Sequence, residues 1–244
     1  MSNSFFRTSL IKKINQYYKE TPTALRCIEY LREKYPFVLP TIDHIAYRFL
    51  NFENYRKFLK DVDPEFKEGG YLDFPLKKSD KYHKQAYWYT HDVYSRMFTS
   101  FIEIPEEDLK LIQKIKESDL NQREKYSKLK EIDQYMAWTT FWGESINHMA
   151  FDLSHYPDPF EVIMKEMSDD LKLEMNIFPD NNPRNPMIMV SKDQLLRQAS
   201  TKADKVDGIP KAYIEFVSRS KDSEGHYREG FDSFSANGIF ESTN

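Results

Sequence analysis

Two short stretches of this 244-residue chain set a histidine in matching surroundings: IDHIAYRFL at 42–50 and INHMAFDLS at 146–154. Aligned, Ile42 falls on Ile146, Asp43 on Asn147, His44 on His148, Ala46 on Ala150 and Tyr47 on Phe151. Neutral imidazole is a common ligand of transition metals, and two histidines become a metal site once a third donor converges on them. The run KAYIEFVSR at 211–219 offers that donor in Glu215, an acid set between Ile214 and Phe216 in a strongly strand-forming segment. Acids are rare in such places unless paired or ligating. Two histidines and one carboxylate form the set associated with non-haem Fe(II) and with open coordination positions. His44, His148 and Glu215 are therefore the candidate metal ligands; the rival reading makes the histidines hydrogen-bonded residues of a packed core.

Strand geometry must bring these side chains onto one surface. Alternate residues of a strand share a face, so His44, Ala46 and Arg48 point one way while Ile45, Tyr47 and Phe49 point the other. In the second copy His148, Ala150 and Asp152 share a face, opposite Met149, Phe151 and Leu153. The alanine two residues after each histidine keeps the histidine face open, which suits a metal pocket and a tightly packed sheet alike. Glu215 shares its face with Tyr213, Val217 and Arg219, and Arg219 reads as an exposed strand-end residue. His83, His91, His155 and His226 stand in polar or turn-like sequence and read as surface or supporting residues. Cys27 reads as a small packing residue within a helix.

The rest of the chain supplies the elements around these strands. Residues 4–35 show near-helical apolar spacing in two stretches, restarted at Thr21-Pro22, and Pro36 and Pro40 close them. Thr41 to Leu50 reads as a strand, NFENYRKFLKDV as a helix, EGG at 68–70 as a turn, and QAYWYTHDV and RMFTSFIEI as paired strands. The charged run from Pro105 to about Tyr135 reads as amphipathic helices with a solvated face. A strand at 146–153, a helix in PDPFEVIMKEMSDDLKL and strands at MIMVS and AYIEFVSR repeat the earlier order. The expectation is an α+β fold: a helical N-terminal extension over 1–40, then one domain over 41–244. That domain would hold two pseudo-repeated modules, about 41–104 and 140–244, joined by a helical segment.

Composition narrows the function classes. With 40% hydrophobic and 15% aromatic residues the chain can bury a sizeable core. Its 35 basic and 39 acidic residues are interleaved and leave a formal charge of −4, which gives no basic face for nucleic acid. One cysteine cannot make an internal disulfide, and polar residues break every apolar run near the N-terminus, so a cytoplasmic location is expected. No segment approaches the roughly 18 uninterrupted apolar residues of a membrane span.

The stretches DHIAYR at 43–48, NHMAFDL at 147–153, YIEFVSR at 213–219 and GFDSFSANGIFEST at 230–243 resemble the 2-oxoadipate dioxygenase/decarboxylase family, which is related to the vicinal oxygen chelate superfamily. The resemblance implies two vicinal-oxygen-chelate-like modules around a central metal, with His44, His148 and Glu215 as ligands of Fe(II) or another divalent metal. It implies that Arg48 binds a substrate carboxylate. The implied reaction consumes a small 2-oxo acid and O2 and releases CO2; for 2-oxoadipate the other product would be 2-hydroxyglutarate, in lysine catabolism. An arginine leaning back along its strand from Arg48 could hold the far carboxylate of a short diacid, four residues or on the order of 13 Å from His44. The same three ligands could also serve a Lewis-acid lyase or isomerase, a ring-cleaving dioxygenase, or a non-catalytic metal-binding protein.

Overall fold

Strand-forming and helix-forming stretches alternate along the chain as their periodicities require. A computed structural model describes residues 2–61, 65–74, 80–92, 94–178 and 182–231, leaving aside the side chains of 2–7. Helices α1 (Ser2–Glu20) and α2 (Pro22–Lys34) precede β1 (Thr41–Leu50), α3 (Asn51–Asp61), β2 (Lys67–Asp73), β3 (Lys84–His91) and β4 (Ser95–Ile102). Helices α4 (Glu106–Glu117), α5 (Gln122–Ile132) and α6 (Gln134–Trp142) follow. The remainder runs β5 (His148–Asp152), α7 (Phe160–Leu171), β6 (Met189–Val190), β7 (Leu196–Ser200), β8 (Asp204–Val206) and β9 (Ile209–Arg219). No helix among the described residues is long and apolar enough to cross a membrane.

The strands form one sheet in the order β2-β3-β4-β1-β5-β9-β7-β6, with β8 paired to β9. Its centre is the antiparallel pair β1 and β5, in which Ile45 faces Met149, His44 faces Ala150 and Ala46 faces His148. On the outer side of this pair β4 runs parallel to β1 and β9 runs parallel to β5. A parallel neighbour cannot be reached by a tight turn; the chain makes the first crossing through α3 and the β2–β3 hairpin, and the second through α7, β6 and β7.

The two faces of the sheet bury different things. Ile45, Tyr47, Phe49, Met149, Phe151, Ile214 and Phe216 pack in one cluster with Tyr17, Leu31, Phe58 and Met164 from α1, α2, α3 and α7. On the other face Ala46, Phe98 and Ile102 lie under Ile112, Leu129, Tyr135 and Met136 of the three central helices. The charged run thus keeps a solvated side and uses its apolar side as a cover. Its helices are well stopped and started: Asn121 and Glu124 exchange hydrogen bonds in a capping box at α5, and the Asp133 carboxylate accepts from Met136 N at 2.9 Å to begin α6.

Residues 68–70 are not a turn. They lie inside β2, at a register shift against β3. A β-carbon at Gly69 or Gly70 would collide with the Trp88 ring, so these glycines answer a close approach across the sheet and not a chain reversal. The strands β7 and β8 and the separate helix α6 have no counterpart in the sequence reading.

Tyr17 ties α1 to the strand that carries Glu215: its buried hydroxyl donates to Tyr213 O at 2.8 Å. Tyr17→Phe removes one buried hydrogen bond at almost constant volume. Unfolding in urea should show a loss of about 1 kcal/mol without a change of slope.

Candidate metal centre

His44 on β1, His148 on β5 and Glu215 on β9 converge inside the curl of the sheet, each offering one donor atom, all within 4.8 Å of one another. The two Nε2 atoms are 3.1 Å apart; Glu215 Oε1 is 3.9 Å from His44 Nε2, and Oε2 is 3.6 Å from His148 Nε2. Register explains the convergence. Each histidine lies opposite the alanine of the other strand, and Glu215 lies abreast of Ala150 in the row that also holds His44. The open face read from the two alanines is therefore the space into which the partner strand's imidazole projects.

The residue before each histidine fixes its ring. His44 Nδ1 donates to Asp43 Oδ2 at 2.9 Å, and His148 Nδ1 donates to Asn147 Oδ1 at 3.1 Å. With the proton on Nδ1 in both rings, both Nε2 atoms carry lone pairs, and these face each other with no hydrogen between them. Two bare lone pairs at that separation repel; a cation between them turns the contact into ligation. Glu215 adds to the demand: Gln198 Nε2 donates to its Oε1 at 2.8 Å, while its buried Oε2 accepts no hydrogen bond from the described residues. The residues present fit a divalent metal.

Electrostatics point the same way. Burial pushes the Glu215 carboxyl up to about 8, against the help of Gln198. Burial also holds His44 below the ordinary histidine range and, with His44 as neighbour, holds His148 well below it, which favours the neutral imidazole that metal ligation requires. Asp43 is equally buried, but Arg219 and His44 outweigh burial and keep it ionised well below the usual carboxylate range.

The two histidines open onto a small cavity of about 10 Å³, lined also by Arg48, Phe98, Ser100, Tyr213 and Phe231. Phe98 stands abreast of Ala46 as Glu215 stands abreast of Ala150, so the position that mirrors the carboxylate is apolar. That wall offers no fourth ligand. Tyr213 stacks on His148 at 4.6 Å between ring centres, and Phe231 meets His44 edge-on at 4.8 Å. Arg48 is buried, its guanidinium 5.3 Å from the ring centres of both Tyr135 and Trp138.

The structure thus brings His44, His148 and Arg48 to one cavity, with Glu215 converging on the two histidines behind it. It corrects two other expectations. Arg219 is not exposed: it is 4% accessible and grips Asp43 with Nε at 2.7 Å and Nη2 at 2.9 Å. His91 is not a surface residue either; it is buried against Phe66 and Tyr94, 3.5 Å from Glu65. His83 and His226 are ion-paired and solvent-accessible, and Cys27 is packed out of reach of water. Sequence reasoning missed the supporting roles of Asp43, Asn147 and Gln198, although the first two were already visible as equivalent acid and amide residues beside the two histidines. Of the tail motif at 230–243, only Gly230 and Phe231 fall within the described residues.

No family model matches the chain. A curated protein of Oryza sativa subsp. japonica, named 2-oxoadipate dioxygenase/decarboxylase, chloroplastic/amyloplastic, is 29% identical over 99% of this chain and 79% of its own length. The chain is a relative of the 2-oxoadipate dioxygenase/decarboxylases. Those named relatives are enzymes. The crystal structure of the hydroxyglutarate synthase from Oryza sativa in complex with 2-oxoadipate superposes with a TM-score of 0.77 at 24% identity, covering 99% of this chain and 93% of that one. A Ralstonia eutropha JMP134 structure named for the glyoxalase superfamily superposes with a TM-score of 0.65 at 13% identity, over 92% of this chain and 84% of that one. These likenesses show a shared fold, mixed α+β around a curled sheet.

The buried carboxylate gives metal-free protein a pH signature. Below about pH 4.5 Glu215 is protonated folded or unfolded; from there to about 8 only the folded state keeps the proton, so stability falls as pH rises through that window. Metal-free Glu215→Gln lacks this loss. Its unfolding free energy should exceed that of metal-free wild type by an amount that grows between pH 5 and 8, to on the order of 4 kcal/mol. Parallel stability profiles of the two proteins would refute the assignment of an uncompensated acid.

Proposed function

We propose that this chain is a non-haem Fe(II) dioxygenase that oxidatively decarboxylates and hydroxylates a 2-oxo diacid, with 2-oxoadipate converted to 2-hydroxyglutarate and CO2. The atoms balance: one O2 enters, CO2 leaves with the carbon and both oxygens of the lost carboxyl group, and the two atoms of O2 stay on the shortened acid, one in its new carboxylate at the former 2-oxo carbon and one in its hydroxyl. The observation that carries the reading is the pair of Nε2 atoms at 3.1 Å beside the buried Glu215 carboxylate, with both histidines lining a cavity that Arg48 also lines. When bound, the metal would supply a chelation point for the 2-oxo acid and the redox chemistry with O2.

The chain's own residues do the rest on this reading. His44, His148 and Glu215 hold the metal, oriented by Asp43, Asn147 and Gln198. Arg48 takes the far carboxylate: its guanidinium lies 5.3 Å from the ring centres of both Tyr135 and Trp138, and a planar fork suits a carboxylate in both charge and shape. Phe98, Tyr213 and Phe231 keep water out of the space between. That space, about 10 Å³, has room for one water-sized group. On this reading a six-carbon diacid enters by displacing a wall, and Phe231, which belongs to no strand or helix, is the residue assigned to move.

We read the domain as two modules, 41–104 and 140–244, related about the Ile45–Met149 pair; the supporting feature is the shared order of parallel and antiparallel neighbours outward from that pair. The cytoplasmic location expected from the sequence belongs to the same proposal.

Protein purified without chelator should contain about one divalent metal per chain, and with Fe(II) should take up O2 and release CO2 in equal amounts on a 2-oxo diacid. Oxygen uptake on catechols without CO2, or turnover without O2, would replace the proposal with the ring-cleaving or Lewis-acid reading; an absence of bound metal would leave a protein with structural histidines. His148→Ala should fold, lose the metal and lose turnover. Arg48→Lys and then Arg48→Met should reduce kcat/KM on the diacid in that order, the latter roughly 10- to 100-fold, with metal content unchanged. Equal kcat/KM for wild type and Arg48→Met would remove Arg48 from the substrate.

A further inference from the structure

Arg219 ends β9 four residues beyond Glu215, touches no ligand atom and has no part in the substrate contact proposed above. Each of its three nitrogens is nonetheless engaged. Nε and Nη2 bind the two oxygens of Asp43, at 2.7 and 2.9 Å, and Nη1 donates to Gly230 O at 2.7 Å and to Arg228 O at 3.1 Å. The guanidinium also lies 5.2 Å from the Phe231 ring centre. Phe231 in turn packs on His44 at 4.8 Å, and His44 Nδ1 donates back to Asp43. The contacts close a ring: His44, Asp43, Arg219, the carbonyls of 228 and 230, Phe231 and His44 again.

A simple need to orient an imidazole does not explain this arrangement. His148 occupies the equivalent strand position and is held by Asn147 alone, a neutral amide. The ion pair on the His44 side therefore does something the His148 side does without, and what it adds is the grip on residues 228–230. Only a planar fork can bind a carboxylate edge-on and still reach two carbonyls from its remaining nitrogen; an ammonium donates from one point.

We infer that Arg219 is a positioning residue that couples the metal ligand His44, through Asp43, to the segment 228–231, so that ligand geometry and the Phe231 wall of the cavity are set together. The inference rests on the metal reading of His44, His148 and Glu215. Displacing Phe231 to admit a ligand would then pull on Asp43 and be felt at His44 Nε2, and loss of the metal would loosen the wall.

Cobalt(II) is a suitable probe, because its affinity and its visible absorption report ligand geometry without turnover. Metal-free wild type, Arg219→Lys, Arg219→Met, Asp43→Asn and the double variant Asp43→Asn/Arg219→Met would be titrated with Co(II) against a chromophoric chelator. Amide hydrogen exchange would be followed at 226–231. Arg219→Met should bind cobalt 10- to 100-fold more weakly, the range typical for lost ligand-orienting partners, with an altered cobalt spectrum and faster exchange at 228–231. Arg219→Lys, which keeps the charge and is the gentler change if the methionine variant does not fold, should recover little of either property. The double variant should bind cobalt no more weakly than the worse single variant, since both act along one chain of contacts. Wild-type cobalt affinity and spectrum in Arg219→Lys or Arg219→Met, even with faster exchange, would reduce Arg219 to a local anchor and overturn the inference alone. Wild type that takes up no cobalt would overturn the metal reading and the inference with it.

Discussion

The antiparallel pairing of β1 with β5 is the constraint on which the site depends. Side chains alternate faces along a strand, so a slip of one residue in this pairing would turn one histidine out of the cavity. The register that puts Ile45 against Met149 sets each histidine across from an alanine, and only so small a partner leaves room for two imidazoles on adjacent strands. Everything further out follows this choice. β9, parallel to β5, brings Glu215 into the His44 row, and β4, parallel to β1, brings Phe98 into the His148 row.

Such a site is costly to fold. His44, His148, Glu215, Asp43 and Arg219 are nearly inaccessible to water, and charge moved from water into a protein interior is stabilising only when its hydrogen bonds are met. Asp43 meets that condition: it accepts from Arg219, Arg96 and His44. Glu215 does not, with one oxygen unsatisfied. The contrast between two buried acids, one held ionised and one pushed toward its neutral form, separates scaffold from reactive centre in electrostatic terms. Rigidity around the cavity comes from the same scaffold. Tyr135 and Trp138, which flank Arg48, are themselves held by bonds to Ser100 and to Lys211 O.

The convergence of His44, His148 and Glu215 was legible because each member announces itself locally: two histidines in matched alternating strands, and an acid where an apolar residue belongs. The elements that carry them were legible for the same reason. What escaped depends on contacts distant in sequence. The bulge between Ile42 and His44 lies where Asp43 joins the His44 ring instead of turning away from it as strict alternation would require. Arg219 looked like a strand end because its partner is 176 residues earlier. The glycines at 69 and 70 looked like a turn because the ring they make room for, Trp88, sits on the next strand. Helix α6, in QYMAWTTFW, carries too little alternation of polar and apolar residues to announce a face, since nearly all of it is covered.

The mismatch between Glu215 and Phe98 has a stereochemical consequence. A sheet whose centre treats both histidines alike would, with acids in both flanking rows, present nearly equivalent sides to a bound molecule. With a carboxylate in one row and a phenyl ring in the other, the two sides differ in charge, bulk and affinity for water. Were the proposed hydroxylation to take place here, the two faces of a prochiral carbon would meet unlike surroundings, so the alcohol is expected as a single enantiomer, its handedness set by which of two matched strands carries the acid.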